Sequence, residues 1–378
     1  MKTVLGIGLM SGTSGDGVDS ALVRFKKGKP ELLATAFLPY PDHIRENVFL
    51  ASLPDGTASL ICRLNAELGK MFGEAAAQLC KKAKTPLKKI DFIGSHGQTI
   101  RHQPSANPVE ISSTLQIGDG AEIARITGRT VVSDFRTADI AAGGQGAPLA
   151  PLAHHAMFAD KKEDRVIHNL GGISNVTWLP AGGGLEDVRG FDTGPANMLI
   201  DLATAHFSKG KQVFDKDGKI ALKGKLNAPL FDHCMKHPFF KRRPPKSTGR
   251  EMFGKDYYDA VLEKFAQAPM ADFLRTLCAV TAQSAVSQAL AHFAPEKKVR
   301  WVVCGGGAFN KALMAELKER LKGRGQLALS SDLGFGEKSV EAVLMAVLAW
   351  RTLNGLPGNL PQVTGARSPA LLGKISPA

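Results

Sequence analysis

A chain of 378 residues with 44% hydrophobic and 22% charged content can bury a large core and is long enough for two domains. Its net charge of +13 is spread along the sequence, and only Phe239-Phe240 before Lys241-Arg-Arg interleaves aromatics with charge, so steering of small anions is expected and nucleic-acid binding is not. The five cysteines are scattered without a Cys-x-x-Cys pair, which excludes a disulfide framework or zinc knuckle, and no apolar run is long enough to span a membrane; a cytoplasmic protein is expected.

The first element is the apolar run Val4 to Leu9, which leads directly into Met10-Ser-Gly-Thr-Ser-Gly-Asp-Gly-Val-Asp19. Gly12, Gly15 and Gly17 free main-chain N–H groups to converge on an anion, and Ser11, Thr13 and Ser14 add hydroxyls. Asp16 and Asp19 suit a cation that accompanies phosphates, although a plain polar hairpin turn fits the same residues. A helical stripe follows from Ala58 to Ala83, with Leu60, Leu64, Leu68, Met71, Phe72, Ala75 and Leu79 on one face. The predicted strand Ile90 to Ser95 ends in Gly94-Ser-His-Gly-Gln-Thr99, where His96, Gln98 and Thr99 offer neutral partners for sugar hydroxyls. The strand Thr130 to Ser133 runs into a segment that sets Arg136 between Asp134 and Asp139. That arginine either forks onto a substrate carboxylate or forms a salt bridge with one of the two acids. Gly143, Gly144 and Gly146, just beyond it, suit a hinge for domain closure.

Arg165 to Leu179 reads as strand, Gly171-Gly172 turn and strand, repeating the pattern near residue 5. Asp192 in Gly190-Phe-Asp-Thr-Gly-Pro-Ala-Asn197 stands at a strand end stiffened by Pro195, as either a general base or an Asx-turn capping a helix Ala196 to His206. His233 and His237 have metal-compatible spacing but lack an acidic third ligand and read as surface, while Lys246-Ser-Thr-Gly-Arg-Glu251 reads as a lid or a surface connection. Helices are predicted at Leu277 to Phe293, Asn310 to Leu321 and Glu337 to Leu353, with a strand at Leu327 to Ser330. The β-branched strand from Val299 enters Gly305-Gly-Gly307, a turn suited to passing beneath a nucleotide's sugar and base. Alternating helices and short buried strands indicate layered α/β architecture. The phosphate-loop signature Gly-x4-Gly-Lys-Ser/Thr is absent.

The order of these glycine loops resembles the actin-like ATPase superfamily. Gly12 to Asp19, Ser95 to Thr99, Ala141 to Pro148, Leu170 to Asn175, Asp192 to Pro195, Lys246 to Glu251 and Gly305 to Asn310 are together similar to the successive motifs of the anhydro-N-acetylmuramic acid kinase family, and they span nearly the whole chain. The resemblance implies a two-domain actin-like (ribonuclease H-like) α/β fold with ATP and sugar in the interdomain cleft. It also implies an enzyme that uses ATP and Mg2+ to open the 1,6-anhydro ring with water and phosphorylate O6, giving N-acetylmuramic acid 6-phosphate and ADP in peptidoglycan recycling. Asp192 maps to the base. Gly12, Thr13, Ser14, Gly15, Asp16, Gly17, Val18, Asp19, Gly171, Gly172, Gly305, Gly306 and Gly307 map to ATP, with Asp16 offered to the metal. His96, Gln98, Thr99 and Arg136 are assigned to the sugar, whose lactyl carboxylate calls for a cationic pocket. The expected domains are 1–130, completed by 352–378, and 131–351, in a homodimer whose partners are small molecules. This chain has Gly15 where the family usually has methionine and Ala196 where it usually has glycine, so a looser loop and less room beside Asp192 are expected. A related sugar kinase that deprotonates a hydroxyl directly, and a nucleotide-binding regulator without catalysis, are the competing readings.

Overall fold

The computed structural model describes residues 3–12, 14–104, 111–293 and 298–378, so Thr13 lies outside the described residues. The chain divides into two compact units, Met1–Met157 with Ser339–Ala378, and Phe158–Lys338. The first unit contains strands β1 (Val4–Met10), β2 (Gly17–Lys26), β3 (Lys29–Pro39), β4 (Phe92–Ser95), β5 (Gln98–Gln103), β6 (Ser113–Ile117) and β7 (Val131–Ser133). The second contains β8 (Arg165–Leu170), β9 (Ile173–Leu179), β10 (Arg189–Pro195), β11 (Val299–Cys304) and β12 (Gly325–Leu329), and β13 (Lys374–Ser376) belongs to the first again.

The first unit's main sheet has the order β13-β7-β4-β1-β2-β3, in which β1, β2 and β3 form an antiparallel meander and β4 and β7 continue parallel to β1. The second unit's sheet, β10-β9-β8-β11-β12, repeats the plan with an antiparallel meander β8-β9-β10 followed by parallel β11 and β12. Each sheet thus has the ribonuclease H-like arrangement expected from the motif order, and the repeat noted between residues 5 and 167 is a repeat of whole sheets.

Strand parity explains how the first sheet is covered. Ile7 and Leu9 face one side and join a core with Leu64, Leu68, Phe72 and Leu79 of the helix Ala58–Lys82. Gly6 and Gly8 face the other side, where the helix Val340–Leu353 lies so close that a Cβ on Gly8 would fall 1.8 Å from Ala342 O. Gly94 on β4 meets the same helix, with Met345 O 2.2 Å from the place of a Cβ. The second unit's core gathers Trp301, Phe191, Leu170 and Val176 against the helix Met270–Phe293, which is buried along most of its length. That all-round burial blurs its apolar stripe, and the helix begins seven residues before the predicted Leu277.

The units depart from the boundaries expected at 130 and 351. β7 pairs with β4 and β13, and the helix Val340–Leu353 packs on β1 and β4, so 131–157 and 339–351 belong to the first unit. Gly8→Ala is expected to cost about 3 kcal/mol, because backbone atoms rather than a movable side chain stand in the way; urea denaturation of the parent and the variant measures it.

Candidate active site

In the first unit the chain leaves β1 at Met10 and enters β2 at Gly17, and the turn between them is fastened from β5. The buried Ser11 hydroxyl lies 2.8 Å from Gly17 O and 2.7 Å from Gln98 Oε1, while Gln98 Nε2 donates to Gly12 O at 3.2 Å and Thr99 O at 3.3 Å. Gln98 therefore commits both ends of its amide to holding main chain and loop. Thr99 Oγ1 accepts from Gln116 Nε2 at 3.4 Å. Gly15 donates its N–H to Gly12 O and has φ of +60°, a left-handed conformation that glycine adopts without strain. Gly15 thus bonds back to Gly12. Val18 is fully buried in the core, and Gly17 is glycine because Leu38 O would lie 2.4 Å from a Cβ, so the side chains here serve the sheet. Asp19 stands in the β2 ladder opposite Met10 and Phe37.

Asp16 is exposed, with Oδ1 accepting from Ser14 Oγ at 2.8 Å. Among the described residues no three His, Cys, Asp or Glu groups are arranged to hold a metal. A single exposed carboxylate fits magnesium, which keeps several waters and takes its other ligands from substrate phosphates.

His96 and Arg136 are found together. The Arg136 Nε and Nη2 groups point at His96 Nε2 at 3.0 and 2.9 Å, and Nη1 donates to Gly146 O at 2.7 Å. A guanidinium only donates, so His96 Nε2 is unprotonated and Nδ1–H donates to Gly97 O at 2.9 Å. Burial and then the Arg136 charge lower His96 to about 3, and the same two causes lower His102 to about 4. Neither acid flanking Arg136 pairs with it. Asp134 bridges to Lys374 at 2.7 Å, while buried Asp139 accepts from Gly146 N, Asn359 Nδ2 and Thr364 Oγ1, each at 2.7 Å. Burial lowers the half-buried guanidinium, while the charges of Glu341 and then Asp139 act the other way.

The glycines expected as a hinge are bonded throughout. Gly143 N donates to Ile140 O, Gly144 N to Asp139 O, Gln145 N to Thr364 O and Gly146 N to Asp139 Oδ2. Gly144 answers a packing need, since a Cβ would lie 2.2 Å from Asp139 Oδ2.

In the second unit the Gly171-Gly172 turn joins β8 to β9 and its carbonyls receive N–H groups from the start of the helix Asn197–Phe207: Asn197 to Gly171 O, and Ala196 and Met198 to Gly172 O. Those orphan helix donors are thereby satisfied within the protein. Ala196 is fully buried in the core cluster, so its methyl group is accommodated by packing. Gly305, with φ of +84°, and Gly307 let the end of β11 approach β8, where Cβ atoms would fall 2.7 Å from Leu170 O and 2.6 Å from Leu170 Cβ; Gly306 is exposed and open. Asn310 caps the helix Lys311–Arg320 by accepting from Ala312 N and Leu313 N.

Asp192 lies in β10 beside a bulge, where the register with β9 shifts between Asp192 and Gly194. Such a bulge turns the strand and re-aims its side chains. Asp192 N donates to Lys246 O at 3.2 Å, and Thr248 N donates to Asp192 Oδ2 at 2.9 Å. Part of the side chain is reachable by solvent, yet burial raises it to about 7; the Thr248 N–H lowers it, Glu251 raises it and Lys246 lowers it. The neighbouring Thr193 ends a buried chain. Trp301 Nε1 donates to His168 Nδ1 at 3.2 Å, His168 Nε2 meets Ser174 Oγ at 2.7 Å, and Ser174 Oγ lies 2.5 Å from Thr193 Oγ1. Sequence reasoning missed this chain and the part played by Lys246 and Gln288; polar His168 and Ser174 within apolar strands are the signal available. Phe239 is buried among aromatic rings, so the hint of a stacking surface near Lys241 belongs to packing, and His237 Nδ1 accepts from Phe239 N at 3.3 Å.

The structure therefore brings together Ser11, Gly12, Gly15, Gln98 and Thr99, joins His96 to Arg136, and gathers Gly171, Gly172, Gly305 and Gly307 around the end of β8. The family model described as "Anhydro-N-acetylmuramic acid kinase" matches residues 4–378. An anhydro-N-acetylmuramic acid kinase of Caldanaerobacter subterraneus subsp. tengcongensis is 45% identical over 383 residues, covering 98% of this chain and 96% of its own. One of Gloeobacter violaceus is 43% identical over 383 residues with both chains fully covered. Among solved structures, component A of the Acidaminococcus fermentans (R)-2-hydroxyglutaryl-CoA dehydratase aligns with a TM-score of 0.48 at 13% identity, over 93% of this chain and 99% of that one. With the family model matched from residue 4 to the last residue, the chain belongs to the anhydro-N-acetylmuramic acid kinase family.

Proposed function

We propose that this kinase opens the 1,6-anhydro bridge of anhydro-N-acetylmuramic acid with water while transferring the γ-phosphoryl group of ATP to O6, with Asp192 as the base. The observation that carries the reading is the setting of Asp192, whose carboxylate is aimed by the Thr248 N–H at 2.9 Å and raised by burial to about 7, the range a general base needs at neutral pH. The water oxygen bonds to C1 and its proton goes to Asp192. The C1–O6 pair of electrons leaves with O6, which bonds to the γ-phosphorus as the bond to ADP breaks. Capture of O6 by phosphorus removes the need for the second carboxylic acid that glycoside hydrolysis ordinarily uses. Bound magnesium supplies charge neutralisation at the phosphates, and Asp16 is the residue we assign to it.

The loop from Gly12 to Asp16 and the turns at Gly171 and Gly305 are assigned to ATP through their main chain, with Gln98 bracing the first loop. Arg136, oriented by neutral His96 and Gly146 O, is assigned to the lactyl carboxylate. A place in cell-wall recycling, a homodimer and a cytoplasmic location rest on family membership.

ADP release with anhydro-N-acetylmuramic acid, compared with N-acetylmuramic acid and N-acetylglucosamine, tests the substrate; equal rates with all three overturn it. Run in 18O water, the reaction is expected to label C1, whereas direct phosphorylation of a hydroxyl leaves it unlabelled. Asp192→Asn is expected to lower kcat by about two to four orders of magnitude, and near-parental turnover overturns its role. Because the carboxyl group is raised and acts ionised, kcat/KM is expected to fall tenfold per pH unit below about 7, rather than below the ordinary carboxylate range. Arg136→Ala is expected to weaken sugar binding by roughly 1.5–3 kcal/mol, about 10- to 100-fold, with ATP affinity nearly unchanged; calorimetric titration with each ligand decides.

A further inference from the structure

Lys246 is a buried cation that the proposed reaction does not use. Its ammonium lies 4.7 Å from the centre of the Phe239 ring and 5.5 Å from that of Phe191, donates to Phe239 O at 3.3 Å, and contacts Gln288 Oε1. The ion pairs among the described residues do not include it. A buried charge without a carboxylate partner is costly, so its retention calls for a return elsewhere.

The geometry shows where that return arises. Gln288, on the helix Met270–Phe293, turns its Nε2 group to Thr193 O at 2.8 Å and Ser284 O at 2.7 Å, which leaves Oε1 for the ammonium. Gln288 therefore ties β10 to the Lys246 segment through one amide. The same segment holds Asp192 at both ends, since Lys246 O accepts from Asp192 N and Thr248 N donates to Asp192 Oδ2. The charged and titratable groups around the pair are Asp192, Glu251, Arg242, His292 and, beside His292, Arg243. Glu251 opposes ionisation of Asp192 and Lys246 favours it.

We propose that Lys246 and Gln288 are positioning residues for Asp192: Gln288 fixes the segment against the strand, and the buried ammonium of Lys246 adds a positive charge that favours the ionised carboxylate. The inference rests on the reading of Asp192 as the base. Burial, then Arg242, lowers Lys246 to about 8, with Asp192 acting the other way, so its support for Asp192 is present at neutral pH and fades above that value.

The test is the pH profile of kcat/KM. Lys246→Met, which keeps the stem over the two rings, is expected to move the acidic limb up by about one unit, a loss of about tenfold at pH 6, while parent and variant converge at pH 9. Lys246→Arg is expected to restore the limb. A rate loss of equal size at every pH, with the limb unmoved, overturns the proposal. If the methionine variant does not fold, Gln288→Glu reads the same quantity: it leaves Lys246 in place, answers its charge with a carboxylate, and has to raise the limb as well. A 13C NMR titration of the Asp192 carboxyl group, assigned with Asp192→Asn, separates this from failure of the base reading. An unmoved titration in Lys246→Met overturns the pairing, whereas full turnover by Asp192→Asn overturns the base.

Discussion

The second unit depends on a buried line of hydrogen bonds crossing its sheet from β11 to β10. The Trp301 indole can only donate, so His168 accepts at Nδ1 and donates from Nε2 to Ser174, whose hydroxyl continues to Thr193. Burial lowers His168 to about 3, so the line does not change its pattern at ordinary pH. All its members are buried, and deleting His168 would remove the acceptor of the Trp301 indole and one partner of the Ser174 hydroxyl together. The line ends at the bulge that re-aims Asp192. The position of Asp192, the base in the proposed reaction, thus follows from side chains buried in the sheet.

The first unit uses a different device for the same end. There the close contact of Gly8 and Gly94 with the helix Val340–Leu353 brings a late part of the chain onto the opening strands, and Asp139 gathers Gly146, Asn359 and Thr364 around one carboxylate. Arg136, three residues before Asp139, is held by a neutral imidazole and a carbonyl, with the charges of Glu341 and Asp139 acting on it. Under the proposed role in anion binding, such a fastened guanidinium needs little further ordering when a ligand arrives.

Much of this was legible beforehand, and the reasons for the rest are specific. The glycine motifs, their order and the two strand–glycine–strand units could be read because turns and strand periods are local properties. Gln98 read as a sugar ligand because an amide's chemistry suits hydroxyls, but its partners, Ser11 and Gly12, come from the segment after β1, far away in sequence. Gly143, Gly144 and Gly146 read as a hinge because glycine is permissive, whereas at Gly144 the close approach of the Asp139 carboxylate is what calls for glycine. The domain boundary at 130 failed for a like reason: the pairing of β7 with β13 joins residues some 240 positions apart in sequence, which no local pattern records. The segment from Lys246 to Glu251 read as a lid or a surface connection because it follows a proline-rich loop, and the burial of Lys246 against two aromatic rings is not a local pattern.

The imidazole beside Arg136 has one more consequence. Above about pH 3 His96 stays neutral, so it adds no charge beside Arg136 over the range in which Asp192 and Lys246 change state. On the proposed roles, binding of the anionic sugar and ionisation of the base fall to separate groups. On that proposal acidification slows turnover without protonating the imidazole that orients Arg136, a throttle that lets turnover resume when the proton departs.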